Sequence, residues 1–107
     1  MYKIALICEH GASTGMCVRK MIDASLRLGL DSEIASYSFS KLDNIIDDKD
    51  FILFGPQLSF KLDQYIKKHP EHDLKIAVVN SADFGMMNGE KILKDAIAII
   101  ERNRKKN

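Results

Sequence analysis

The residues best suited to chemistry in this chain are Cys8 and the loop after it, within "IALICEHGASTGMCVRKM" (residues 4–21). An apolar run stops at a thiol, small and polar residues with two glycines follow, and a helical pattern then begins. A thiol at a strand end, facing the start of a helix, would meet free backbone N–H groups at the positive end of the helix dipole, which is an anion site. Gly11 and Gly15 would supply the positive φ of such a loop. Ser13 and Thr14 would cap the helix or donate hydroxyl hydrogen bonds. A thiol facing such a cradle ionises below its ordinary value and is a nucleophile for phosphoryl groups. The plainer reading of Cys8, a small buried hydrophobe, competes with this one.

The candidate loop is Glu9, His10, Gly11, Ala12, Ser13, Thr14 and Gly15. It contains no lysine or arginine, so backbone amides must bind the anion. It is not a Walker A loop, because no Gly-Lys-Ser/Thr triplet occurs. Glu9 brings a negative charge to the place an anion would occupy, unless it turns outward. His10 would assist proton transfer, touch a donor protein, or be an ordinary exposed loop residue. Cys17 falls on the apolar stripe of the next helix and reads as core, which leaves no cysteine pair for thiol redox chemistry.

The elements that must position this loop alternate along the chain. Residues 3–7 form a nearly continuous apolar run, as in a strand covered on both faces. Residues 16–28 carry apolar positions at helical spacing, and Gly29 is a natural stop. A second strand spans 32–39, and Ser40 is placed to cap a short helix through Ile46. "FILF" (51–54) is a buried strand ending at Gly55-Pro56-Gln57. A helix follows over 59–68, then a turn "HPEHD", a strand "KIAVV", a loop over 80–89, and a helix over about 90–102. This βα alternation predicts a single-domain, four-stranded parallel sheet over residues 1–107, with helices on both faces and right-handed crossovers. Ligands in such folds bind at the carboxyl ends of the strands. That edge gathers Cys8–Gly15, Gly55–Gln57 and the 80–89 loop. Gly55 and Pro56 are explained as a strand stop. Gln57 lies on the same edge as Cys8 and is expected to help shape it. Asp83 is an acid in a plausible loop, and Met86 and Met87 would contribute to a docking patch.

Composition narrows the class. The chain has 107 residues, 46% hydrophobic, with 16 basic and 15 acidic side chains and a formal net charge of +1. That length suits one domain with its own core, and the balanced charge argues against a nucleic-acid scaffold. The basic run "RNRKK" at the C-terminus reads as a solvated helix end. Two cysteines are too few for a disulfide scaffold. No apolar run approaches the roughly 20 residues that span a bilayer, so a cytoplasmic chain without membrane insertion is expected.

The strand-ending cysteine, the loop with "ST" before the helix, "FILFGPQLSFKL" and "VVNSADFGMMNGEKIL" together resemble the enzyme IIB component of the lactose/cellobiose branch of the bacterial phosphoenolpyruvate–sugar phosphotransferase system. The resemblance runs over nearly the whole chain. It implies a three-layer αβα fold similar to that of low-molecular-weight tyrosine phosphatases. Cys8 would take a phosphoryl group from a phosphohistidine on a IIA component. It would pass that group to a sugar, such as cellobiose, chitobiose or lactose, held by a membrane IIC component. No metal or other cofactor is implied. Two departures from the family pattern are Glu9-His10, where small residues are common, and Phe84, where tyrosine is frequent. Two other classes compete. A phosphotyrosine phosphatase would need an arginine six positions after the cysteine, where Thr14 stands, and an acid for the leaving group, for which Asp83 is the candidate. A non-catalytic regulator read through its phosphorylation state is the third.

Overall fold

The computed structural model describes residues 1–9 and 12–105, and for residues 12–14 the backbone only. The expected roles of His10 and Gly11, and of the side chains of Ala12, Ser13 and Thr14, lie outside the described residues.

The central strand is β1 (Tyr2–Cys8), and its residues from Ile4 to Cys8 are all buried. It pairs in parallel with β2 (Ser32–Ser38) on one side and β3 (Phe51–Phe54) on the other. The short β4 (Ile76–Val78) pairs with β3, giving the order β2-β1-β3-β4. The apolar runs at β1 and β3 follow from this: strands covered on both faces cannot alternate apolar with polar.

Side chains still alternate in direction. Ile4, Leu6, Phe51 and Leu53 pack under α1 (Ala12–Arg27) and α5 (Gly89–Lys105) with Cys17, Met21, Ala24, Ile92, Leu93 and Ala96. Ala5, Ile7, Ile52 and Phe54 face the other layer with Leu42 of α2 (Leu42–Ile45) and Tyr65 of α3 (Ser59–Lys68). The result is the expected αβα sandwich with two cores, one on each face of the sheet.

Gly29 ends α1 as expected. Its φ is +69°, and the N–H groups of Gly29 and Leu30 donate back to the carbonyls of Leu26 and Ser25, a Schellman closure. The Arg27 guanidinium reaches Glu90 and so ties α1 to the start of α5.

Four local expectations are corrected. α1 begins at Ala12 rather than near residue 16, because its first turn is small and polar and gives no apolar period. Gly15 therefore lies inside the helix, without the positive φ expected of it. Ser40 does not cap α2. It sits in the 3₁₀ turn Phe39–Lys41, where its hydroxyl bonds that of Ser38 at 2.8 Å. The 80–89 loop contains α4 (Ser81–Gly85), capped by Asn80, whose Oδ1 accepts from the Asp83 N–H at 3.0 Å.

Candidate active site at the carboxyl edge

Cys8 is the last residue of β1, in register with Ser38 of β2, and is 1% exposed. Alternation puts it on the α1 side of the sheet, with Ile4 and Leu6. The chain leaves β1 for β2 on one side and returns to β3 on the other, so the break between β1 and β3 is the topological switch point, where ligands of open α/β sheets bind. Helix α1 starts four positions after Cys8, and its first turn contains no acidic residue. Its first-turn N–H groups and dipole therefore face this edge with no carboxylate of their own turn against them.

The second wall comes from β3. Gly55 donates its N–H to the Ile7 carbonyl at 3.0 Å, and the 3₁₀ turn Pro56–Leu58 carries Gln57 directly after it. The Gln57 carboxamide folds back over Gly55. A methyl group at Gly55 would stand 3.0 Å from Gln57 Oε1 and 3.6 Å from the Ile7 carbonyl oxygen. The sheet thus brings Gln57 beside the residue that precedes the thiol.

Glu9 turns outward and meets a cation that sequence reading did not find. Lys61 of α3 has its Nζ 3.5 Å from Glu9 Oε1. The same ammonium lies 4.7 Å from the Phe39 ring centroid. Nothing local in the sequence signals this pairing, since the two partners lie 52 positions apart.

Asp83 sits differently. It is mostly buried in the first turn of α4, and its Oδ2 accepts from Lys91 Nζ at 3.1 Å. Hydrogen bonds to Asp95 and then to Asp83 raise the Lys91 ammonium above its ordinary pKa. Asp83 thus braces α4 against α5. Cys17 is buried in the α1 core, and burial raises its thiol pKa, so it holds its proton at neutral pH. Among the described residues, no group of three or more His, Cys, Asp or Glu side chains is arranged to hold a metal ion.

Some of the exposed large apolar side chains lie near helix starts: Met16 on α1, Phe60 on α3, and Met86 and Met87 just before α5. In a parallel αβα sandwich the helices start at the carboxyl edge of the sheet, so these side chains surround the Cys8 end of the molecule.

The fold is a parallel αβα sandwich with a thiol at its switch point and a helix N-terminus just beyond. Comparison with known proteins makes the class specific. Residues 3–95 match the family described as "PTS system, Lactose/Cellobiose specific IIB subunit", and the chain belongs to that family. It is similar to the oligo-beta-mannoside-specific EIIB component of Bacillus subtilis, with 29% identity over 94% of this chain and 97% of that one. It is 36% identical to the galactose-specific EIIB component of Lactococcus lactis subsp. cremoris, over 87% of this chain and 91% of the relative. The solution structure of a cellobiose-specific phosphotransferase IIB component from Borrelia burgdorferi superposes with a TM-score of 0.81 at 28% identity, covering 94% of this chain and 93% of that one. The chain is therefore a IIB component of a sugar phosphotransferase system, a sugar phosphotransferase by class. Among the described residues no helix is long and apolar enough to cross a membrane.

Proposed function

We propose that Cys8 is the phosphoryl carrier of this component. The observation that carries the reading is the position of the thiol: the last residue of the central strand, at the switch point, four residues before the N-terminus of α1. In the first step the Cys8 thiolate attacks the phosphorus of a phosphohistidine on a IIA component. The S–P bond forms, the N–P bond breaks, and the electron pair returns to the imidazole. In the second step a hydroxyl of a sugar held by a membrane IIC component attacks the same phosphorus. An O–P bond forms as the hydroxyl gives up its proton to solvent, the S–P bond breaks, and sulfur leaves as thiolate. Both are in-line displacements that require positioning and charge stabilisation more than covalent chemistry.

Backbone amides of Glu9, His10, Gly11, Ala12, Ser13, Thr14 and Gly15 cradle the phosphoryl oxygens in this reading. Gln57 shapes the β3 side, and Asp83 supports the edge by bracing α4. The exposed Met16, Phe60, Met86 and Met87 form the apolar contact for IIA and IIC in turn. The component works in the cytoplasm, at the membrane surface while it meets IIC. The relatives are named for oligo-beta-mannoside and galactose, and a β-linked disaccharide such as cellobiose, chitobiose or lactose is the proposed substrate class.

The test is incubation with phosphoenolpyruvate, the general phosphotransfer proteins and candidate IIA components, followed by intact mass. One phosphoryl group is expected on the unmodified protein and on Cys17→Ser, and none on Cys8→Ser. A folded Cys8→Ser chain that is fully phosphorylated would overturn the assignment.

A further inference from the structure

We infer that Lys61 is a positioning residue for the Cys8 edge: its ammonium neutralises Glu9, so that the residue following the thiol does not repel an anion arriving there. The inference rests on the reading of Cys8 as phosphoryl carrier.

Glu9 follows Cys8 directly, with the two Cα atoms about 3.8 Å apart. An uncompensated carboxylate on the residue next to the thiol opposes both a thiolate and a phosphoryl group. Cys17 is buried in the α1 core, and the described part of the first turn of α1 contains no basic residue to offset Glu9. Lys61 supplies the offset from α3, with Nζ 3.5 Å from Glu9 Oε1. It is held there rather than waving in solvent. Its side chain is 25% exposed, and its ammonium lies over the Phe39 ring at 4.7 Å and near the Phe60 ring at 6.0 Å. Aromatic faces attract and orient a cation.

The direction of the pair matters. Glu9 reaches toward the α3 layer, on the opposite side of the strand end from α1. Lys61 can therefore cancel the Glu9 charge without standing in the anion cradle at the helix N-terminus. An arginine inside the cradle would grip a phosphoryl group by two hydrogen bonds. A lysine paired behind the strand lowers the repulsion and leaves the group free to depart, which is what a carrier needs. As a surface ion pair it adds little to stability, so its effect is read at the thiol.

The experiment is a 13C NMR titration of the full chain labelled with [3-13C]cysteine. It gives one signal for Cys8 and one for Cys17, and the buried Cys17 serves as internal control. Removing one charge several ångströms from the thiol changes its ionisation roughly threefold, about half a pH unit. Lys61→Met is expected to raise the Cys8 midpoint by about that amount, and Glu9→Gln to lower it by a similar amount. The double variant should return close to the unmodified protein, and Lys61→Arg should match it. The differences should collapse in about 1 M salt, where the screening length is about 3 Å. A Cys8 midpoint unchanged across the variants, or one that moves together with Cys17, would overturn the inference. Were Lys61→Met not to fold, Glu9→Gln alone must still lower the midpoint. The wider reading fails separately: an unmodified chain that takes no phosphoryl group sinks the carrier assignment while the titration result stands.

Discussion

The N–H of Gly55 donates to the carbonyl of Ile7 at 3.0 Å, which ties the exit of β3 to the residue before Cys8 and leaves the Gln57 side chain lying over the joint. Gly55 has φ −59° and ψ 152°, a conformation open to any residue. Gly55→Ala should therefore fold, at a cost under about 1 kcal/mol. Its methyl would stand 3.0 Å from Gln57 Oε1, so the flexible carboxamide must move. If Gln57 shapes the Cys8 edge, Gly55→Ala and Gln57→Ala each slow phosphorylation of Cys8 severalfold, and the double variant is no slower than either. Time courses of intact mass check this. Additive losses would show that the carboxamide is not the route.

Gly89 behaves in the opposite way. A methyl there would lie 2.5 Å from the Lys20 carbonyl carbon and 2.6 Å from the Met21 nitrogen. Backbone atoms cannot swing aside, so α1 and α5 would have to separate. Gly89→Ala is expected to cost about 3 kcal/mol, as overpacking does in rigid cores. Gly85 meets nothing within 4 Å, and Gly85→Ala should be neutral or slightly stabilising. Urea denaturation of the two variants side by side measures the difference, and equal midpoints would refute the close approach of the helices.

These two glycines show which parts of the molecule were legible in the sequence. The four strands and the long helices were, because apolar runs and helical stripes follow directly from burial on two faces or one. Gly29 was legible through its position after a stripe. The start of α1 was not, since Ala12–Gly15 carries no apolar period. α4 was not, because five residues with a terminal glycine resemble a loop, although Asn80 and Asn88 are both capping residues. The tight spacing behind Gly89 and the meeting of Glu9 with Lys61 are relations between distant segments, which no local pattern encodes. Cys8 stood out as a candidate because a thiol at a strand–helix junction is a local pattern.

Tyr65 gives a pH prediction. Its hydroxyl donates to Asp43 Oδ1 at 2.9 Å. Burial first, and then this bond, raise its pKa well above the ordinary 10.0. A folded-state value above the unfolded one means that the contribution is complete below pH 10 and is lost as pH climbs toward the folded value. Tyr65→Phe should cost about 1 kcal/mol at neutral pH. The gap between variant and unmodified protein should then narrow above pH 10, as the unfolded tyrosine deprotonates. Some alkaline slope should persist in both, because Tyr2 is also raised, chiefly by its bond to Glu101. Denaturant unfolding at several alkaline pH values would show a constant gap if Tyr65 were not the responsible group.

Transfer and hydrolysis ask different things of the same thiol. A phosphatase has to hydrolyse its phosphocysteine, which needs a cation gripping the phosphoryl oxygens, a general acid for the leaving group and a positioned water. The loop after Cys8 contains no lysine or arginine. The cation found near it, Lys61, is paired with Glu9. The candidate acid, Asp83, has its carboxylate on Lys91. A carrier needs the reverse balance, holding the phosphoryl group until a sugar arrives and releasing it then. The unmodified protein is therefore expected to turn over an aryl phosphate no faster than Cys8→Ser does. The phosphorylated form should persist in water and discharge rapidly with IIC-containing membranes and a cognate sugar. Release of free phosphate and of sugar phosphate from the same labelled sample would be followed together. Brisk, Cys8-dependent hydrolysis of the aryl phosphate with no transfer to any sugar would overturn the carrier and favour the phosphatase.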